Sequence, residues 1–200
     1  MCFNCATMSR KALQDAVSRA VRYPHSDISR GKLIISEEAF RDDDRETNMV
    51  ISPYCILDCT GSIFIGPWCN IGPRTRIYTH DHIHAGREPL SRVQEQYGIL
   101  FQDKTIGRDV WIHDGSLVLY QVTCIPDGVV LGGGSVLTRN PGPYEIWAGN
   151  PARKIGERTD IDSRALRDLA CGHRYSLDPA IVEKTVAATG QGENGAPSDL

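Results

Sequence analysis

Aliphatic residues return every six positions through the middle of this chain. Ile65, Ile71 and Ile77 open IGPWCN, IGPRTR and IYTHDH, and Ile106, Ile112 and Val118 open IGRDVW, IHDGSL and VLYQVT. Ile125, Leu131 and Leu137 continue the series one residue out of phase, while Ile51, Leu57 and Ile63 keep it less cleanly upstream. A step of six matches neither an amphipathic helix (period about 3.6) nor simple strand alternation (period about 2). It fits a hexapeptide β-helix, in which each repeat supplies one short strand and one corner. The aliphatic points inward and stacks on its counterparts in neighbouring coils. The small residue that follows, usually Gly, is expected to accommodate the corner's backbone angles. The slip between Val118 and Ile125 predicts a corner insertion near Tyr120–Gln121.

Between Ile77 and Ile106 the repeat lapses. Residues 79–104, THDHIHAGREPLSRVQEQYGILFQDK, are too long and polar for a corner. In a solenoid such a stretch is a loop thrown out from one face, commonly the functional one. Before the repeats, Ser9 caps an expected amphipathic helix over roughly 10–22, with Leu13, Ala16, Val17, Ala20 and Val21 on one face. The charged run 41–47 reads as a solvated loop. Asp178 and Pro179 begin a further helix that runs to about Ala188, and TGQGENGAPSDL (189–200) reads as disordered. The expected organisation is an N-terminal helical and extended segment (1–48), a β-helix (49–158), C-terminal helices (159–188) and a tail (189–200).

Composition narrows the function. The chain has 200 residues, enough for one domain with a substantial core, and its net charge of −3 argues against nucleic acid or an anionic membrane as partner. No apolar run approaches the roughly 20 residues of a membrane span, and the N-terminus lacks the apolar core of a secretory signal. Seven scattered cysteines suit reduced thiols, hence a cytoplasmic protein, better than a disulfide framework. Cys2 and Cys5 form a CxxC without a second pair, which argues against zinc.

Taken together, IGPWCNIGPRTRIYTHDH, TIGRDVWIHDG, LGGGSVLTRN and AGNPARKI resemble the maltose, galactoside and nodulation-factor acetyltransferases of the hexapeptide-repeat family, over roughly residues 49–158. The resemblance implies a left-handed β-helix, a homotrimer, acetyl-CoA as co-substrate and active sites between subunits. Handedness rests on the resemblance alone, since crossovers are right-handed in nearly all other folds.

Acetyl transfer to a hydroxyl needs a base for the departing proton, donors for the developing oxyanion and a groove for CoA. Histidine suits the first task, because its pKa of about 6.5 lies near neutrality. The excursion opens with His80, His82 and His84, and the resemblance places the family's catalytic base on His82. Asp81 is adjacent, but consecutive side chains on an extended segment diverge. On the donor side the resemblance points to Gly133 and Ser135 in GGGS for the pantetheine arm. It points to Thr138 and Arg139, with Arg153 and Lys154, for the nucleotide phosphates, and Arg158 adds charge nearby. Trp111, in DVWIH, matches the tryptophan beside the donor channel and equally well covers the prism beneath the long loop. On the acceptor side Asp58 matches a recurrent acidic residue, which alternatively bonds its own backbone at a corner. An asparagine found in the sugar-modifying branches is replaced by Ile51, with Asn48 and Ser52 nearby, which argues against a sugar acceptor and leaves a hydroxylated secondary metabolite or another small alcohol open.

Two other readings compete. γ-Class carbonic anhydrases share the β-helix, but they pair two further histidines downstream, whereas His113 stands where the family has a corner Gly and has no such partner. An outward-facing surface histidine is expected there. A non-catalytic structural β-helix would lose the loop histidine and the cationic contacts. Retention of His82, Arg139 and Arg153 favours the enzyme.

Overall fold

The computed structural model describes residues 9–19, 31–40 and 48–159. The chain divides into two units, Met1–Arg158 and Thr159–Leu200, and only Thr159 of the second falls among the described residues. The expected C-terminal helices, the tail and the charged run 41–47 lie outside them.

The first unit opens with helix α1 (Arg10–Arg19). Ser9 caps it: Oγ accepts the Ala12 N–H at 3.1 Å. Leu13 is buried in the core, with Ala16 and Val17 packed against it; residues 20–22 of the expected helix lie outside the described set. Strands β1 (Leu33–Ile35), β2 (Val50–Ile51), β3 (Ile56–Leu57), β4 (Ile63–Ile65), β5 (Asn70–Ile71) and β6 (Arg76–Ile77) follow. The excursion holds β7 (His80–Asp81), helix α2 (Leu90–Tyr97) and β8 (Leu100–Phe101). Strands β9 (Lys104–Ile106), β10 (Trp111–Ile112), β11 (Leu117–Val118), β12 (Cys124–Ile125), β13 (Val130–Leu131) and β14 (Val136–Leu137) resume the repeat, and β15 (Glu145–Gly149) and β16 (Ala152–Glu157) end it as an antiparallel pair.

These strands form three sheets that the chain visits in rotation. The first is β1-β4-β9-β12, the second β2-β5-β10-β13-β15-β16 and the third β3-β6-β11-β14, all parallel except for the final pair. Register stacks the hexad aliphatics directly. Ile35, Ile65, Ile106 and Ile125 make one ladder; Ile51, Ile71, Ile112 and Leu131 a second; Leu57, Ile77, Val118 and Leu137 a third. All but Ile35 are at most 1% exposed. Each such side chain stabilises the fold by about 1.5–3 kcal/mol relative to exposure, which is why a fold of two- and three-residue strands holds.

One expectation about the repeat changes in detail. Ile63 is inward, but the residue in register with Ile106 is Ile65. The corner between Leu57 and Ile65 is therefore two residues longer than a hexad. The predicted insertion does fall at Tyr120–Gln121, where a turn is closed by the Val122 N–H donating to Leu119 O at 3.1 Å.

The corner glycines also work differently. Positive φ falls three residues after the inward aliphatic, at Tyr54, Trp68, Arg74, Asp109, Gly115, Gly128 and Gly134. The Gly directly after the aliphatic is needed for close stacking. A Cβ on Gly66 would meet Gly107 O at 2.6 Å, and one on Gly107 would meet Asp127 Oδ1 at 2.3 Å. In the first two ladders, four residues after the aliphatic, a second, smaller side chain turns inward: Cys55, Cys69, Thr75, Val110, Ser116, Val129 and Ser135 are all buried. Burial pushes the thiols of Cys55 and Cys69 up to about 11 and about 12, so these are core side chains and not nucleophiles.

Candidate active site

Two of the three corners repeat regularly with the left-handed residue just described. The third, between the third and first sheets, has no left-handed residue three positions after its aliphatic, and the unusual chemistry gathers there. The first passage is Asp58–Ser62, the second is the excursion, the third is the tight turn at Tyr120–Gln121, and Thr138–Asn140 leave the third sheet at the same corner after β14.

The excursion is more ordered than a polar loop. Strands β7 and β8 pair antiparallel, His80 opposite Phe101 and Asp81 opposite Leu100, and the Gln102 N–H returns to Thr79 O at 2.9 Å. Helix α2 buries none of its residues.

Asp58 anchors the stem. Its Oδ1 accepts the Thr60 hydroxyl at 2.7 Å and the Thr60 N–H at 3.1 Å. Its Oδ2 accepts the Thr79 N–H at 2.8 Å, the His80 N–H at 3.1 Å and His80 Nδ1 at 2.6 Å. The Thr79 hydroxyl donates to Asp58 O at 2.6 Å and accepts the Gly61 N–H at 2.9 Å. Burial raises the carboxyl's pKa, but the bonds from Thr60, Thr79 and His80 outweigh it and leave it below the ordinary value. The Asp58 side chain is 1% exposed, and both its oxygens are engaged within the corner by Thr60, Thr79 and His80, backbone N–H groups among them.

His80, its side chain 10% exposed, lies between Tyr78 and His82, with edge-to-face ring contacts at 6.5 and 5.7 Å. His82 is half-buried, and its backbone N–H donates to Asp81 Oδ1 at 2.8 Å. Its Nδ1 is buried without a hydrogen-bond partner, the one such side-chain atom among the described residues. His84 is exposed, 4.0 Å from Asp81. No group of three metal-ligating side chains converges among the described residues.

Lys104 was not foreseen as part of this corner. It is 1% exposed, and its Nζ donates to Leu119 O at 3.1 Å, Tyr120 O at 3.4 Å and Val122 O, carbonyls of the inserted turn. Burial lowers its pKa to about 8, against an opposing pull from the Asp58 charge. One signal was available: Lys104 precedes Ile106 as Ile63 precedes Ile65, and the two are in register.

The remaining candidates lie elsewhere on the chain. Ser52 begins the corner after the second sheet, and Trp111, 36% exposed, stands on that sheet with its ring 6.3 Å from the exposed His113. Gly133 is exposed at the following coil's equivalent corner. Ser135 faces inward, and its Oγ accepts the Gly149 N–H at 3.0 Å, which ties the coil to β15. Thr138 is half-buried, and Arg139 lies over the Trp147 ring at 5.1 Å. Arg153 Nη1 donates to Ala152 O at 2.9 Å. Lys154 pairs with Glu145 at 3.0 Å and with Glu157, which raises its pKa; the Gly142 N–H, the Trp147 indole and Lys154 hold Glu145 down at about 2. Arg158 pairs with Asp109 at 2.8 Å. Within one chain, then, Gly133 lies at another corner than the histidine row, whereas Thr138 and Arg139 follow β14 at the same corner, two coils further along.

No family model matches the chain. Among curated proteins it is similar to a chloramphenicol acetyltransferase of Agrobacterium fabrum, 42% identical over 64 residues covering 32% of this chain and 30% of the relative. Those of Morganella morganii and Klebsiella aerogenes are each 32% identical, over 50% and 56% of this chain and 54% and 60% of their own lengths. The chain thus spans at most 60% of any of these relatives. A hexapeptide-repeat-containing acetyltransferase of Vibrio cholerae, solved with acetyl coenzyme A, superposes with a TM-score of 0.51 at 21% identity, covering 75% of this chain and 79% of that one. In fold the chain is similar to the hexapeptide-repeat acetyltransferases, and in sequence to chloramphenicol acetyltransferases.

Proposed function

We propose that this chain is an acetyl-CoA-dependent O-acetyltransferase acting on a hydroxyl of a small molecule, built as a left-handed β-helix that assembles into homotrimers. His82 is the general base. The observation that carries this reading is its buried, unpartnered Nδ1 at the mouth of the excursion. Leaving such an atom unsatisfied costs about 1–3 kcal/mol, a cost retained where function requires the group. The similarity to chloramphenicol acetyltransferases supports the donor and the transferred group. The placement of Trp111 and Gly133 away from the histidine row's corner supports sites between subunits, where one copy's excursion meets its neighbour's donor face.

In this reading the imidazole of His82 takes the acceptor's proton as the hydroxyl oxygen attacks the thioester carbonyl. The tetrahedral oxyanion then collapses, the C–S bond breaks, and the departing CoA thiolate recovers the proton from His82. Gly133, Arg139, Arg153 and Lys154 hold the donor. Lys154 must then share its charge between Glu145, Glu157 and a phosphate.

The test is acetyl-CoA turnover, followed by free thiol release, with a panel of small hydroxyl compounds. His82→Ala should lose about 10²–10⁴ in rate with CoA affinity retained. Wild-type turnover in that variant would refute the assignment.

A further inference from the structure

Residues 78, 80 and 82 alternate onto one face of an extended segment, so Tyr78, His80 and His82 form a continuous row of rings. The row's fixed end is Asp58, which belongs to the preceding coil and not to the excursion. We propose that Asp58 and His80 are positioning residues that orient the His82 imidazole, and that neither touches the acceptor. The inference rests on His82 as the base.

The argument runs along the row. An ionised carboxylate accepts hydrogen bonds and cannot donate, so the 2.6 Å contact requires a proton on His80 Nδ1. This fixes the His80 ring in one tautomer and one orientation. Thr60 Oγ, already donating to Asp58, lies 3.2 Å from the same nitrogen and confines the ring further. Oδ2 also takes the backbone N–H groups of Thr79 and His80, so the first two residues of the excursion are fastened where they leave the coil. His82 has no comparable anchor. Its backbone is held by Asp81, but its buried ring nitrogen has no partner, and the ring packs edge-to-face on His80. The orientation of the base is therefore set by the wall that Asp58 fixes. Among the described residues, the charged and titratable groups by this wall are Asp58, whose charge also reaches the buried Lys104, and Asp81 from the excursion, with His84 4.0 Å from it. The negative charge behind His80 favours the imidazolium that forms as the acceptor loses its proton.

Asp58→Asn keeps the shape but removes the charge and offers His80 an amide in place of a carboxylate. It should lower kcat about 100-fold, as expected when a reacting group is displaced by about 1 Å, with KM for acetyl-CoA within about twofold. The acidic limb of the kcat profile should move to lower pH, because loss of a neighbouring negative charge lowers an imidazole pKa. A purely structural role would not move that limb. His80→Gln retains an amide donor toward Asp58 but removes the ring; it should show the same loss, and it carries the test should the Asn variant not fold. Wild-type kcat and pH profile in the folded variants, beside an inactive His82→Ala control, would overturn the positioning role and leave His82 as the base. An active His82→Ala with inactive Asp58→Asn and His80→Gln would overturn both, since His80 would then be the base itself.

Discussion

Lys104 replaces, one coil later, the inward aliphatic Ile63, and its ammonium takes up carbonyls that the inserted turn leaves without a ladder partner. Burial has a measurable consequence. The folded-state pKa of about 8 lies below the free value of 10.5, so between these limits the unfolded chain binds more protons than the folded one. Stability attributable to this residue therefore rises with pH across that window, by on the order of 3 kcal/mol. Other groups titrate there too, so the measurement is a difference: urea denaturation of wild type and Lys104→Met at pH 7.5 and pH 10. The gap should shift in favour of wild type at the higher pH. A gap independent of pH would mean that the amine is solvated. A lysine within a polar stretch reads as a solvated charge, which is why this residue went unseen, although its place two residues before Ile106 marks it as inward.

At the scale of the element, the hexad separates two uses of glycine that a sequence reading merges. Gly115, with φ of +67°, has nothing within 4 Å of where a Cβ would stand, so alanine there meets only the left-handed backbone penalty, about 1–2 kcal/mol. Gly66 has ordinary backbone angles, but its Cβ would sit 2.6 Å from a backbone oxygen of the next coil, which no side-chain rotation relieves. Gly66→Ala should cost about 3 kcal/mol or more, because the coils themselves must part. Denaturation midpoints of the two variants should keep that order; the reverse order would mean that the coils are not stacked this closely. The inward aliphatics were legible because six-residue periodicity survives any choice of outward residue. The left-handed position was not, because Tyr, Trp, Arg, Asp and Gly all occupy it. The Asp58–His80 pair was hidden for another reason: its members are 22 residues apart and meet only once the length of a coil, 20 residues between Ile51 and Ile71, is known.

At the scale of the whole molecule, the proposed chemistry needs a base and a donor site, and one copy of the chain holds Gly133 of that donor site at another corner than His82. If neighbouring copies complete each site, two inactive variants should complement one another. His82→Ala keeps the donor face, and Arg139→Ala with Arg153→Ala keeps the base. Refolded together at equal amounts into mixed trimers, they place an intact base beside an intact donor face at about a quarter of all sites. Thiol release should recover to about that fraction of wild type, although each variant alone is inactive at low acetyl-CoA. The same mixture prepared from separately assembled trimers should stay inactive, which separates exchange of subunits from residual activity. The complementation also distinguishes a catalyst from a β-helix that only assembles: a structural protein gains nothing from mixing, whereas a shared site must. Recovery absent despite verified mixed trimers would place the base and the donor face within one chain, and the excursion would then have to fold back across its own coils to bring His82 to the thioester.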